Sequence, residues 1–379
     1  SPGTAITSMQ LDRAFQEGIL IPWRKGEPER FKTAWDLLVA DKGGLVFQPK
    51  PGIFENVAEI DFASMYPTIM AIHNISPETV FCRCCENHKV PEAGYTLCEK
   101  REGIVPKTLR PILTRRAWLK KMARETECGM EKENTKEGRR QEAEGRKTKK
   151  SESSENEAKK REIYDRKQTA LKWMLVTCFG YLGYRNARFG RIEAHEAVTA
   201  FGREKLLQAK ELCEEEGFEL LHAITDSLWI RKKNLREEEV LELCRKIGQA
   251  TGITMSLEGI YRWMAFLPSK ANPESPVANR YFGLFKSGKI KARGLAFRRG
   301  DMPPFIQEAQ IRMLEVLAEA KDLDDYRSKI SKILDLLLEY SLMLKDGQTK
   351  QGDLVIGKRI SQEPNAYKVD SLTALAAQQ

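Results

Sequence analysis

An alternating strand pattern runs directly into the start of a helix in residues 57–67, VAEIDFASMYP. Successive side chains of a strand point to opposite faces, so Glu59 and Asp61 share the face opposite to Ala58, Ile60 and Phe62. Asp61 then stands at the end of an apolar strand, where a carboxylate can hold a metal ion. The alternative is that Asp61 simply caps the helix that begins near Ser64.

A second candidate carboxylate lies in residues 220–230, LLHAITDSLWI. Two short apolar runs flank Thr225-Asp226-Ser227, which predicts two strands joined by a tight turn with Asp226 at its tip. Asp, Ser and Thr are ordinary turn residues, so this segment alone indicates only a turn. Two carboxylates on separate strands of one sheet, however, can jointly hold two divalent cations, and two-metal sites support in-line displacement at phosphorus.

Three basic side chains on two predicted helices suit such a site. Arg116 and Lys120 are four residues apart in the helix predicted over 109–122, so they share one face. Lys172 is one of few charges in the helix predicted over 167–180, whose apolar residues recur at helical spacing. These cations can clamp a triphosphate, or they can form an ordinary solvated basic face.

Residues 61–67, 172–180 and 224–227 follow each other in the order of three motifs, and the chain resembles the palm, fingers and part of the thumb of a family B DNA polymerase. The three segments are similar to the family's Asp-x-x-Ser-Leu-Tyr-Pro, Lys-x-x-x-Asn-Ser-x-Tyr-Gly and Asp-Thr-Asp-Ser, respectively. The resemblance covers nearly all of the chain. Its further anchors are the fingers pair Arg116 and Lys120, the Arg280-Tyr281 step, which resembles the Lys-x-Tyr duplex-binding motif, and Arg293-Gly294.

The chain also departs from the family pattern, and the departures resemble a divergent archaeal group of paralogues with eroded motifs, whose members are suspected of weak or absent activity. Asp61 and Asp226 match the metal-bridging carboxylates of the family. The family's third carboxylate is replaced by Ile224, and this loss is expected to weaken the site more than abolish it. Phe179 lacks the hydroxyl of the motif's Tyr and so loses one hydrogen bond, worth about 0.5–1.5 kcal/mol. The departures are Ile224 for Asp, Val176 for Asn, Phe179 for Tyr and Asn279 for Lys.

The resemblance implies phosphoryl transfer in which a primer 3'-hydroxyl attacks the α-phosphorus of a deoxynucleoside triphosphate and pyrophosphate leaves. The implied cofactor is Mg²⁺, as two ions, with Mn²⁺ as a substitute. Asp61 and Asp226 are the implied catalytic residues. The implied metal ligands are Asp61, Asp226 and the backbone of Phe62, with Glu258 as a further candidate.

Nucleotide and DNA contacts follow from the same resemblance. Tyr66 is expected under the sugar, where its ring would exclude a 2'-hydroxyl; the alternative is a core tyrosine at the start of a helix. The implied nucleotide-binding residues are Phe62, Ser64, Met65, Tyr66, Arg116, Lys120, Lys172 and Phe179. The implied DNA-binding residues are Gly180, Thr225, Lys270, Arg280, Tyr281 and Arg293.

The composition agrees with primer–template DNA and deoxynucleoside triphosphates as partners. The chain has 63 Lys and Arg against 54 Asp and Glu, a formal net charge of +9, so binding to DNA phosphates is expected to weaken as salt rises. No run of about 18 apolar residues and no signal peptide is present. We therefore expect a soluble, cytoplasmic and nucleoid-associated protein without membrane contact.

The strand and helix patterns indicate an α+β fold with the right-hand architecture of a polymerase. The expected parts are the first part of an antiparallel-sheet palm over 1–105, a two-helix fingers hairpin over 106–189, the second part of the palm with the catalytic hairpin over 190–300, and a helical partial thumb over 301–379. The family's exonuclease domain is expected to be absent. The chain would then be a fragment, a reduced natural form, or half of a split polymerase whose separate partner chain supplies the exonuclease or N-terminal domain.

A highly charged segment interrupts the predicted fingers. Between residues 131 and 162 the only apolar side chains are Ala143 and Ala158, which is too few to bury a core. Mixed charges at helical spacing favour a solvated helical extension of the fingers over partial disorder near 149–156. Near the start of the chain, a turn is predicted at Trp23.

Cys82, Cys84, Cys85 and Cys98 cluster within one loop of the predicted palm. The residue types suit a zinc site, although their spacing is not read as a regular Cys-x-x-Cys pair. A disulfide is implied by the family resemblance, because some archaeal members bridge two cysteines in this loop and the Cys84–Cys98 spacing is similar. Free thiols in a reducing cytosol are the third interpretation.

The preferred function is template-directed DNA synthesis, weak or specialised for repair or damaged templates. The alternative is a catalytically inactive paralogue that binds primer–template DNA or a replication partner. A two-metal nuclease would use the same carboxylates, but it gives no reason for a triphosphate clamp or for Tyr66.

Overall fold

The computed structural model describes residues 1–21, 31–40, 42–85, 88–137, 147–184 and 186–360, with residues 363, 366 and 372–378. The turn predicted at Trp23 and residues 138–146 of the charged segment lie outside these ranges. Within them, every helix is too short or too polar to cross a membrane.

The described helices are α1 (Pro2–Gln16), α2 (Ala34–Ala40), α3 (Met65–Ile72), α4 (Ile104–Glu137), α5 (Lys147–Gly183), α6 (Ile192–Glu215), α7 (Glu237–Thr251), α8 (Pro304–Ala318), α9 (Leu323–Lys345) and α10 (Leu372–Gln378). The described strands are β1 (Val46–Phe47), β2 (Gly52–Phe62), β3 (His88–Lys89), β4 (Thr96–Leu97), β5 (Glu219–Ile224), β6 (Ser227–Arg231), β7 (Met255–Pro268), β8 (Pro276–Phe285) and β9 (Ile290–Arg293).

A seven-stranded sheet of order β1-β5-β6-β2-β7-β8-β9 dominates the strand content, beside a separate β3–β4 ribbon. The pairs β1–β5, β2–β6, β5–β6, β7–β8 and β8–β9 are antiparallel. Short hairpins supply the β5–β6 and β8–β9 pairings, while β2 enters the sheet from a distant part of the sequence. The predicted α+β class with an antiparallel sheet is confirmed.

The chain divides into two compact units. The first consists of residues 1–45, 62–211 and 245–255, and the second of residues 46–61, 212–244 and 256–379. In the first unit, α4 packs along α5, and α1 and α3 pack on both helices. Residues 149–156, for which helix and disorder were both considered, lie within α5.

Both faces of the sheet are covered in the second unit. On one face, Trp263 and Phe282 pack with Leu314, Leu317 and Tyr326 of α8 and α9. On the other face, a second buried cluster gathers residues of β2, β5, β6, β7 and β8, and we call it the aromatic cluster. Its members are Val57, Leu221, Trp229, Tyr261, Met264, Phe266, Tyr281 and Phe285.

An irregularity in β7 decides which face Tyr261 joins. Strict alternation would put Tyr261 on the same side as Trp263, but the β7–β8 register shifts between these two residues. Such a shift reverses the facing of the side chains that precede it. Tyr261 therefore lies in the aromatic cluster, on the face that also carries Val57 of β2.

Candidate active site

Pairing of β2 with β6 brings the two candidate carboxylates to neighbouring strand ends. Asp61 lies opposite Ser227 in the antiparallel register, and the Ser227 hydroxyl donates a hydrogen bond of 2.7 Å to Asp61 Oδ1. Asp226 is the residue before Ser227, in the two-residue turn between β5 and β6. The strand and the hairpin predicted from the sequence are thus both present, and one sheet carries both aspartates.

The β5–β6 turn has an unusual backbone. Thr225 has a φ of 56°, a left-handed conformation that is strained for a β-branched residue. The backbone N–H of Asp226 donates to the carbonyl of Ile224 at 2.7 Å, which closes the turn tightly. The tight turn holds Asp226 at the end of the hairpin.

Glu59 is buried two residues before Asp61, on the same face of β2. Its carboxylate accepts a 2.6 Å hydrogen bond from the Tyr261 hydroxyl and a 2.7 Å bond from Lys291 Nζ. Burial raises the pKa of the Glu59 carboxyl, and the pairing with Lys291 opposes that rise only in part. Burial and the nearby Glu59 carboxylate likewise raise the pKa of Tyr261.

Glu258, the further metal candidate, is half exposed and lies 3.8 Å from Lys291 Nζ. Lys291 is closer to Glu59 than to Glu258. The metal-binding role of Glu258 stays a prediction.

The first unit fixes Ser64 and Tyr66 at the start of α3. Ser64 is the residue before the helix, with a left-handed φ of 54°, and Arg116 Nη1 of α4 donates a hydrogen bond to its hydroxyl. The Tyr66 ring packs on Phe179 of α5, with 4.5 Å between ring centroids. Behind Tyr66, a Cβ on Gly202 would lie 2.9 Å from its ring, so only glycine leaves room there.

The other candidates for nucleotide binding lie on α3, α4 and α5 of the first unit, except Phe62, which ends β2. Arg116 and Lys120 are half-buried on α4, and Lys172 is exposed on α5. Phe62 and Met65 are buried. Phe179 stacks on His195 of α6 at a centroid distance of 4.4 Å.

The candidates for DNA binding have diverse surroundings. Arg293 lies opposite Tyr281 in the β8–β9 pair, and Tyr281 is buried in the aromatic cluster. Arg280 Nη1 donates to the carbonyl of Pro268 at 3.0 Å. Lys270 and Gly180 are exposed.

The four clustered cysteines are free thiols whose sulfurs all lie within 4.8 Å of one another. Cys82 and Cys85 stand at Cys-x-x-Cys spacing, so the sequence interpretation of an irregular spacing is wrong. The backbone N–H of Glu99, which donates to Cys85 Sγ, is the main cause that lowers the pKa of this thiol to about 7. Cys84 and Cys98, the pair named in the disulfide alternative, have their sulfurs 3.5 Å apart and are not bonded in this structure.

Comparison with known proteins decides the family. A family model described as DNA polymerase family B matches residues 3–144 and 140–378. The chain belongs to DNA polymerase family B. The resemblance drawn from the three motifs is therefore confirmed.

Two curated relatives and one solved structure illustrate the similarity. The chain is 31% identical over 346 residues to DNA polymerase 2 of Saccharolobus solfataricus, covering 91% of this chain and 46% of that protein. It is 30% identical over 327 residues to a DNA polymerase of Archaeoglobus fulgidus, covering 86% and 36%. The family B DNA polymerase of Pyrobaculum calidifontis matches with a TM-score of 0.62 at 26% identity, covering 97% of this chain and 42% of that one. The chain thus spans less than half the length of these relatives.

Sequence reasoning about this family B chain missed the role of Glu59 and its two partners. The alternation in β2 already placed Glu59 on the face of Asp61, and an acidic residue two positions before a candidate metal ligand was the available signal. Tyr261 and Lys291 carried no such signal, because they are 202 and 232 residues away from Glu59 along the chain.

Removing Lys291 tests the pairing with Glu59. Lys291→Met leaves a buried carboxylate without its cation, so we expect stability to fall by about 3 kcal/mol at neutral pH. Lys291 lowers the pKa of Glu59, so its loss raises that pKa further, and the destabilisation should shrink as the pH falls and Glu59 takes up a proton. Urea unfolding followed by circular dichroism from neutral to acidic pH measures this.

The control and the rescue come from the same region. Lys289→Met removes an exposed lysine of the β8–β9 turn and should leave stability within about 0.5 kcal/mol of the wild type. The double variant Glu59→Gln/Lys291→Met removes both charges and should recover most of the loss. A Lys291→Met protein as stable as the wild type at neutral pH would contradict the pairing.

Proposed function

We propose that this chain catalyses template-directed DNA synthesis, adding deoxynucleotides to the 3'-hydroxyl of a primer. The observation that carries the proposal is the placement of Asp61 and Asp226 at neighbouring strand ends, with Ser227 bonded to Asp61. The names of the relatives, which are DNA polymerases, support it. Its substrates are primer–template DNA and deoxynucleoside triphosphates.

The donor set fits a hard divalent cation. Asp61 and Asp226 offer carboxylate oxygens and Phe62 a backbone carbonyl, the oxygen ligands that Mg²⁺ takes in proteins, and Glu258 is a further candidate. When bound, two such ions stabilise the attacking and leaving oxygens of an in-line displacement at phosphorus. Mn²⁺ favours similar ligands and would substitute.

The protein's own residues position and neutralise the reactants. The hydrogen bond from Ser227 holds the Asp61 carboxylate in one orientation. Arg116, Lys120 and Lys172 would neutralise the triphosphate. The Tyr66 ring, held against Phe179, would exclude a 2'-hydroxyl from the sugar site.

A second candidate function is favoured by Ile224. This residue, which stands where the family has its third carboxylate, packs against the aromatic cluster. The position of the family's acid is thus occupied by an apolar side chain that packs against the core. Val176, in place of the motif Asn, is half exposed on α5. A catalytically silent paralogue that binds primer–template DNA is consistent with both, and an active enzyme with these motifs would be weak or specialised for repair or damaged templates.

Primer extension separates the two candidates. Asp61→Asn and Asp226→Asn keep side-chain size but remove a charge, so each should lower extension by at least about 100-fold, since metal-held charge stabilisation is worth several kcal/mol. The measurement is extension of a labelled primer with Mg²⁺ or Mn²⁺, beside DNA binding of each variant.

Glu219→Gln provides the matched control, because Glu219 is an exposed acid at the start of β5 and should leave extension unchanged. If the wild type and both aspartate variants bind DNA and extend it equally little, the enzymatic proposal is wrong and the silent paralogue is supported.

Sugar selection by Tyr66 is tested by changing its ring. Tyr66→Ala removes the side chain proposed to crowd a 2'-hydroxyl, so we expect ribonucleotide incorporation relative to deoxyribonucleotide incorporation to rise at least about tenfold, or about 1.4 kcal/mol. Competing incorporation of the two nucleotides on one template measures this ratio. Tyr66→Phe keeps the ring and should leave the ratio unchanged. Equal ratios in the wild type and Tyr66→Ala would assign Tyr66 to packing alone.

A further inference from the structure

The β3–β4 ribbon brings cysteines from its two ends together. Cys82, Cys84 and Cys85 precede β3, and Cys98 directly follows β4. The ribbon pairs His88 with Leu97 in antiparallel register. Residues that flank the two strands on the open side of a hairpin must lie close in space, which explains why cysteines separated by up to sixteen positions meet.

Three sulfur separations lie at or somewhat below the edge length of a tetrahedral four-sulfur metal site. Cys82 Sγ lies 3.1 Å from Cys85 Sγ, and Cys84 Sγ lies 3.5 Å from Cys98 Sγ and 3.8 Å from Cys85 Sγ. Four sulfurs bound tetrahedrally to zinc at about 2.3 Å stand about 3.8 Å from one another. The cluster therefore has the size of a four-sulfur zinc site.

Backbone donors already point at two of the sulfurs. The N–H of Glu99 donates to Cys85 Sγ at 3.2 Å, and the N–H of Arg101 donates to Cys98 Sγ at 3.3 Å. Such donors stabilise negative charge on sulfur, and by bonding to the ligand atoms of a metal they fix the orientation of those ligands. They give an observation, independent of the distances, that favours bound thiolates.

We propose that Cys82, Cys84, Cys85 and Cys98 bind one structural Zn²⁺. Four protein ligands leave no open position on the metal, so the site would stabilise the fold and take no part in chemistry. The neighbouring imidazole of His88 is engaged elsewhere, since its Nε2 lies 3.2 Å from His73 Nδ1. The proposal rests on the ribbon alone and does not depend on the proposed polymerase activity.

The zinc site would secure the start of α4. The Asn74 side-chain amide donates to the carbonyls of Cys98 and Arg101 at 2.6 and 2.8 Å, and its oxygen accepts the N–H of Gly103 at 2.8 Å. These bonds tie the segment that follows Cys98 to the loop after α3. Because α4 begins at Ile104, fixing Cys98 also fixes the N-terminal end of that helix.

Metal analysis of the purified 379-residue chain tests the proposal. We expect one zinc per chain by mass spectrometry of the elements. Co²⁺ added to the zinc-free, reduced protein should give sulfur-to-cobalt charge-transfer absorption and the visible bands of tetrahedral cobalt. Cys84→Ser changes an exposed ligand, so the chain should still fold, and its zinc affinity should fall by more than about tenfold.

Cys244→Ala is the matched control, because Cys244 is a buried cysteine of α7, distant along the chain from the β3–β4 ribbon. The Cys244→Ala protein should keep one zinc. Thiol counting under denaturing conditions with a chelator and no reductant should find all eight cysteines of the chain reactive. Fewer reactive thiols would mean disulfides in place of zinc. Absence of bound zinc together with no tetrahedral cobalt spectrum would also overturn the proposal.

Discussion

The antiparallel pairing of β2 with β6 is the constraint on which the candidate active site depends. It sets Asp61 opposite Ser227, and the tight β5–β6 turn then places Asp226 beside that pair. A register slip of one residue would turn Asp61 to the opposite face of the sheet. Such a slip is unfavourable because it would move the apolar residues of β2, among them the fully buried Ile60, out of the core and bring acidic residues into their place.

The same register carries a buried charge beneath the site. Because Glu59 precedes Asp61 by two residues, it lies on the same face of β2, where Tyr261 and Lys291 donate hydrogen bonds to it. A buried carboxylate is costly unless it is paired and hydrogen-bonded, so these two partners are a condition for the strand to sit where it does. The shift in β7 that turns Tyr261 toward Glu59 belongs to the same arrangement.

Local patterns predicted local structure well. Alternation in 57–62 gave the facing of Glu59 and Asp61, and the apolar runs around Asp226 gave the hairpin. The partners of Glu59 could not be found in this way, because strand pairing over more than 200 residues leaves no periodic trace in the sequence. The register shift in β7 likewise has no marker in the sequence, because position 262 is an arginine and not a glycine. The Cys-x-x-Cys spacing of Cys82 and Cys85, by contrast, is visible in the sequence. The proximity of Cys98 to the other three cysteines depends on the pairing of β3 with β4, which the local pattern does not show.

Local cleavage of the backbone by iron examines the carboxylate pair itself. Fe²⁺ bound in an oxygen-ligand Mg²⁺ site reduces added hydrogen peroxide to hydroxide and a hydroxyl radical, with ascorbate returning the Fe³⁺ to Fe²⁺. The radicals cut the nearby chain, and the fragments are identified by mass spectrometry. If Asp61 and Asp226 hold the divalent cation, cuts should fall near residues 61 and 226, and excess Mg²⁺ should suppress them. Cuts confined to other segments, or cuts at these residues that Mg²⁺ does not suppress, would show that the two aspartates do not form a metal site.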